Sequence, residues 1–204
     1  MGTTMRLRLR LTRAGRRLFV LGAMMLLALG VTVGVGAPQA AALGVGTACM
    51  INAPSGATAG PVNFGHVGWA FQEGGTSRWF FGATENGGGS GYVAPGGNTQ
   101  TWIASGTQSQ MFAAFKYAGH FHRYGYYTKW RCHMVLHSAV TAALNEQRNQ
   151  AASGYFLPTN NCLTKSVAIL NAYGVGLGYP GYAQAPNNYF DNLGNAGWGP
   201  VHPL

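Results

Sequence analysis

Gly65-His66-Val67-Gly68-Trp69-Ala70-Phe71 alternates large apolar residues with small or polar ones. Val67, Trp69 and Phe71 fall on one face of a strand, and His66, Gly68 and Ala70 on the other. This alternation predicts a strand over 64–71. Gly74-Gly75 supplies a turn, and 78–84 again has strand character. The two segments predict an antiparallel hairpin.

Upstream, Asn52-Ala53-Pro54-Ser55-Gly56 reads as a turn before the hairpin. After it, 86–97 is a Gly-rich loop that would cover or border a site. Its triple glycine is not followed by a helix bearing Lys and Ser/Thr, so a phosphate cradle is not expected. A helix is predicted over 107–118, with Met111, Phe115 and Ala118 on one face. Residues 124–135, rich in Tyr, Thr and Trp, read as a strand. Ser138 is the expected cap of a helix running to about 152. Leu163, Val167 and Leu170 have helical spacing, and Gly174 is placed to end that helix. The tail after Gly176 reads as loop, with Asn187-Asn188-Tyr189-Phe190 docked on the core. These elements predict an α+β fold, an antiparallel sheet packed against helices, in one domain over 43–204.

Composition supports a packed core. Of 204 residues, 47% are hydrophobic and 8% charged, which excludes a charge-driven disordered chain. The net charge of +9 is concentrated at one end. Six of the thirteen basic residues are Arg6, Arg8, Arg10, Arg13, Arg16 and Arg17, and the four acids are Glu73, Glu85, Glu146 and Asp191. Past residue 42, seven cations face four acids, a net +3. Lys116, Arg123, Lys129 and Arg131 form only a loose cluster, too sparse for a nucleic-acid face.

Residues 1–42 read as an export signal. The Arg-rich start precedes an apolar run over 18–35, and Ala40-Ala41-Ala42 suits cleavage after Ala42. Arg16-Arg17-Leu18-Phe19-Val20 also resembles a twin-arginine signal. The competing reading is an uncleaved anchor, since the run is at the lower limit for a span. With cleavage, no stable membrane insertion is expected, and the mature protein is expected to be secreted, where disulfides persist.

Three cysteines, Cys49, Cys132 and Cys162, allow at most one intrachain bridge and leave one thiol over. Cys162 sits where a helix begins, with Asn160 or Asn161 to cap it. A thiol in the first helical turn sees the positive end of the dipole, which favours the nucleophilic thiolate. The alternative is a small buried apolar residue. His66 is the natural base for such a nucleophile, although a strand histidine also serves packing. Glu85, at the end of the neighbouring strand, is the first choice to orient the imidazole, with Asn86 and Thr84 as rivals. If Cys162 is the nucleophile, parity leaves Cys49 and Cys132 to pair.

Gly65-His66-Val67-Gly68-Trp69-Ala70-Phe71, Trp79-Phe80-Phe81-Gly82-Ala83-Thr84-Glu85-Asn86 and Asn160-Asn161-Cys162 together resemble the circularly permuted papain-like fold. That fold belongs to the NlpC-type superfamily, with its lecithin:retinol acyltransferase-like branch, and the likeness is to secreted actinobacterial proteins of this type. It covers about residues 50–193, the tail Pro186-Asn187-Asn188-Tyr189-Phe190 included. The permuted order places the His on an early strand, a polar residue on the next, and the Cys at the start of a later helix. The resemblance implies a cysteine hydrolase of peptidase or amidase type, or an acyltransferase, acting on a peptide, peptidoglycan or acyl substrate. Cys162 would be the nucleophile, His66 the general base and Glu85 the orienting residue. The superfamily often has a second His where Glu85 or Asn86 stands here.

Two rivals compete. His120, His122, Cys132, His133 and His137 could ligate zinc, but no paired ligand spacing appears, and no metal or cofactor is expected. The 24 aromatic residues after the leader also suit a non-catalytic module that binds cell wall or carbohydrate.

Overall fold

The computed structural model describes residues 44–59, 61–86, 89–117 and 125–204. The expected leader lies outside them, as do Ala118, His120, His122 and Arg123. In chain order the strands are β1 (Gly46–Ala53), β2 (Thr58–Ala59), β3 (Val62–Asn63), β4 (His66–Gln72), β5 (Trp79–Thr84), β6 (Tyr92–Val93) and β7 (Thr101–Gly106). Helix α1 (Gln108–Lys116) precedes β8 (Lys129–Val135), α2 (Val140–Ala152), β9 (Tyr155–Phe156) and α3 (Cys162–Tyr173). The chain closes with α4 (Pro186–Asn192), a 3-10 turn (Leu193–Ala196) and β10 (His202–Pro203).

The fold is α+β. Six strands form one antiparallel sheet in the order β10-β8-β1-β4-β5-β7. The expected hairpin is its centre: β4 and β5 pair from Gly68–Ala83 to Gln72–Trp79. Two small ladders, β2–β3 and β6–β9, stand apart from the sheet.

Alternation along the strands sorts side chains onto two faces, and each face has its own core. Ala48, Met50, Val67, Trp69, Phe71 and Phe80 face α3, whose Leu163, Val167 and Leu170 pack on them. Cys49, Ile51, Ala70, Phe81 and Ala83 face the other way, toward Met111 and Phe115 of α1. The small residues of β4 are what admit α1. A Cβ at Gly68 would overlap the Phe115 ring. The small-residue face thus receives α1, while the Cys162 helix packs on the opposite, bulky face.

Helix α3 is capped at both ends. Asn161 Oδ1 accepts from the N–H groups of Leu163 and Thr164, and Thr164 Oγ accepts from Asn161 N–H. At the other end Gly174 takes the left-handed conformation. Most of α3 is buried between sheet and α2, and its Lys165 Nζ donates to Gln150 O and Ser153 Oγ at the end of α2. Burial lowers the Lys165 pKa to about 8, with Glu146 opposing the shift.

Several expectations change. Ser138 does not cap α2. The cap position is Ala139, and the Ser138 hydroxyl donates to Gly44 O instead. The loop over 86–97 contains β6, paired with β9. The tail is helical at α4, and its Phe190 is fully buried. Strands β1 and β7 were not expected. Cys49 lies within β1, directly opposite Cys132 of β8, and the two form a disulfide. Arg131 is not part of a basic face, because its buried guanidinium donates to Gly199 O, Phe190 O and Asp191 O. No helix among the described residues is long and apolar enough to cross a membrane.

Candidate functional site

The site forms at the end of the sheet where β4 begins. The β4–β5 ladder stops at Gly68–Ala83, two residues short of His66. Past that point the Val67 backbone N–H is donated to the Cys162 sulfur, which α3 delivers from the bulky face. His66 interacts with both sides. Its Nε2 lies 2.9 Å from Glu85 Oε2, and its ring also hydrogen-bonds the Cys162 thiol. The structure therefore brings Cys162, His66 and Glu85 into one chain. Each is almost wholly buried, at 4%, 4% and 6% exposure.

Burying three ionisable groups is unfavourable unless they compensate one another. Glu85 is well supplied with donors: its Oε1 accepts from Trp102 Nε1 at 2.7 Å and from the Tyr127 hydroxyl at 2.9 Å. For His66, burial pulls the pKa down, but the charges of Cys162 and Glu85 and hydrogen bonds to both outweigh it and raise it to about 10. For Cys162, burial pushes the thiol up. The His66 charge and hydrogen bond, with the Val67 N–H, more than reverse this and hold it below its ordinary value. Each shift favours the charged form of its own group, and Cys162 lies in the first turn of α3, at the positive end of the helix dipole.

The surrounding loops fix His66. Gly65 has φ of +81°, and a Cβ there would overlap Asn187 Oδ1. Asn187, in the first turn of α4, is a hub. Its Nδ2 donates to Pro54 O and Asn63 O, and its Oδ1 accepts from Asn52 Nδ2. Asn52 Nδ2 also donates to His66 O at 3.4 Å. Asn187 N–H donates to Phe64 O. The docked tail thus braces both segments that flank His66.

A cavity of about 460 Å³ opens on Cys162, His66 and Glu85, bounded by the loops at 56–58, 89–91, 155–158 and 183–186. Tyr155 lies within it, beside the thiol. The Tyr155 hydroxyl accepts from the Cys162 backbone N–H and from the Asn86 side chain. Burial and the charge of Cys162 raise its pKa well above the phenol's ordinary value, so it keeps its proton. A phenol has one proton to give. With two donors on its oxygen, the hydroxyl has one bond of its own left to donate. Asn86 holds φ at 44°, a left-handed conformation that asparagine tolerates better than most residues.

The rival third residues are engaged elsewhere: Thr84 Oγ bonds Thr101 Oγ, and Asn86 Nδ2 donates to Ser90 O. Trp69 is in the core, Arg78 lies over the Phe80 ring, and Trp79 lines a second cavity near Gln72 and Thr107, so none borders the site. Of the zinc candidates, Cys132 is consumed by the disulfide and His133 stacks on Trp198. Among the described residues no three His, Cys, Asp or Glu side chains gather in a metal-binding group. The alternation in β4 and the Asn-Asn-Cys cap signalled Cys162 and His66. Nothing local signalled Tyr155, Trp102 or Tyr127, which arrive from distant segments; Asn187 was expected to dock on the core, but not to brace His66. Neither a family model nor a curated protein nor a solved structure matches the chain.

Proposed function

We propose that the chain is a cysteine-dependent acyl-transfer enzyme, a hydrolase of peptidase or amidase type, on a circularly permuted papain-like fold. The single observation that carries this reading is the buried Cys162–His66–Glu85 chain, with a thiol held below its ordinary pKa at the floor of an open cavity. The order of the three residues, two from a hairpin and the cysteine opening a later helix, supports the permuted arrangement.

In the proposed reaction the Cys162 thiolate attacks a carbonyl carbon. A C–S bond forms as the carbonyl electron pair moves to oxygen. The Tyr155 hydroxyl, held in place by the Cys162 N–H, is the donor for that oxyanion. As the intermediate collapses, the bond to the leaving group breaks and the His66 imidazolium gives it a proton. Neutral His66 then takes a proton from water, which attacks the thioester and releases the acid. With Nε2 on Glu85, Nδ1 is the ring nitrogen left for these transfers. Glu85 holds the ring in orientation and balances its charge. The Cys49–Cys132 disulfide supports work outside the reducing cytoplasm, in keeping with an export signal over 1–42.

The test is to trap the thioester. The protein is mixed with activated esters and amides and its intact mass is read within seconds. An acyl adduct that maps to Cys162 and is absent from Cys162→Ala is expected. Turnover that persists in Cys162→Ala, or acylation at another residue only, contradicts the proposal.

A further inference from the structure

The cavity's chemistry selects the acyl group, an inference that rests on the acyl-transfer reading above. Of the residues that bound the cavity, the ionisable ones are His66, Glu85, Tyr155 and Cys162, and these are turned to one another. Among the described residues no Lys, Arg or Asp borders it.

Apart from Thr58, at the exposed rim, the polar side chains in the wall are engaged within the protein. Asn86 Nδ2 donates to Ser90 O, and Ser90 Oγ donates to Tyr92 O. Asn161 caps α3 and donates to Leu157 O. Gln184 Oε1 accepts from Gly181 N–H. What remains to meet a ligand is largely apolar: Phe64, Leu157, Pro158, Ala183, Ala185 and Pro186. Phe64 and Leu157 are 38% and 54% exposed, although both are large and apolar. They come from separate loops. Leu157 N–H donates to Gly91 O, and Ala183 N–H to Pro158 O, so three of the walls are tied together.

A charged group entering this space would lose hydration and meet, among the described residues, only charges already paired with one another, which is a penalty. An apolar group would exchange water for the walls at a gain. We propose that the cavity takes the acyl portion of the substrate as a neutral, apolar group, with Phe64 and Leu157 as the specificity-determining side chains. Acyl groups carrying a charge beside the scissile carbonyl are rejected. The same chemistry is offered by an apolar amino-acid residue and by a short aliphatic acid, and both sources are tested.

One arm compares thioesters of N-acetyl-leucine, N-acetyl-phenylalanine, N-acetyl-glutamate and N-acetyl-lysine with a common leaving thiol. The other compares butanoyl and hexanoyl thioesters with the succinyl thioester. The readout is the rate of acylation of Cys162 by intact mass. In either arm, neutral apolar donors are expected to react at least ~10-fold faster than charged ones, the scale on which a hydrophobic pocket discriminates. The faster arm identifies the source. Phe64→Ala and Leu157→Ala should shrink that ratio several-fold with unchanged circular dichroism. Leu157→Lys should raise the relative rate of the acidic donors. Equal rates for charged and neutral donors would overturn the inference, as would ratios indifferent to all three substitutions.

Binding separates this inference from the acyl-transfer reading. With Cys162→Ala, saturation-transfer NMR compares N-acetyl-phenylalaninamide with the matched glutamate and lysine amides. Selective binding without any acylation of the unsubstituted protein would leave the pocket's preference standing and remove the chemistry. Acylation without selectivity would do the reverse.

Discussion

The two ends of β4 are buried almost equally, by opposite physics. At the Phe71 end, the ring of Phe71 stacks on Trp69 at 5.4 Å and on Tyr173 at 4.9 Å, in a dry apolar core. Burial itself stabilises that end. At the His66 end, the imidazole sits 5.8 Å from the Tyr127 ring and 2.9 Å from the Glu85 carboxylate, with a thiol as its third neighbour. Burial there opposes the charged forms, and only mutual compensation retains them. One end fixes the strand, and the other uses that rigidity to hold three ionisable groups in register. Stability and reactivity should therefore separate along six residues of one strand.

The sharpest break is chemical. Cys162→Ala should abolish acyl transfer, and His66→Ala should reduce it by about 10²–10⁴-fold, the usual worth of a general acid–base group. The thermal midpoint of Cys162→Ala should stay near that of the parent protein. Next comes the dry end. Phe71→Ala should cost about 3–5 kcal/mol of unfolding free energy in denaturant titration. The protein that remains folded should still react normally at Cys162.

Breaking the Cys49–Cys132 bridge by a double Ala substitution should cost about 4 kcal/mol or less, the chain-entropy figure for so long a loop. Calorimetry checks this, and the specific reactivity of the folded fraction should again be unchanged.

Glu85→Gln probes the polar end more gently. It keeps an acceptor for Trp102 and Tyr127 but removes the charge that helps raise His66. The reactive pair exists above the lowered thiol pKa and below the His66 value of about 10, so activity should fall on the acid side as sulfur protonates and near pH 10 as the imidazolium is lost. In Glu85→Gln the upper limit should move to lower pH and the plateau rate should drop about 10-fold, equivalent to roughly 1.4 kcal/mol. A pH–rate profile decides. Smallest of all, Asn187→Ala should destabilise by about 1 kcal/mol, because it removes the bonds to Pro54 O, Asn63 O and the buried Asn52 amide. It should broaden the signals of 52–66 in NMR before it alters the α3 signals.

The sequence carried the hairpin and the Cys162 helix because each has a local cause: period-two alternation in β4, and an Asn cap with a terminal Gly in α3. It did not carry β1. Gly46–Ala53 is buried on both faces at the centre of the sheet, so it shows no alternation to detect. Helix α4 is seven residues long, too short to show a period, and its reason for being is the packing of Phe190 and Asn187. Glu85 was legible because a hairpin puts its end beside the start of β4. Tyr155 and Tyr127 were not, because tertiary packing alone brings them to the thiol. Nor did the sequence assign the face of β4 on which each helix packs. Small residues on a strand announce a close approach, but not by which element.

The proposed chemistry requires that His66 hold Cys162 as a thiolate inside the fold. Alkylation of the native, non-reduced protein with iodoacetamide, followed residue by residue across pH 4–11, tests it most directly. The account predicts that Cys162 is labelled readily well below pH 8.5, the ordinary range of a free thiol, and that His66→Ala moves its labelling to higher pH. A Cys162 that stays inert until the protein is denatured, or whose labelling profile is indifferent to His66→Ala, would contradict it.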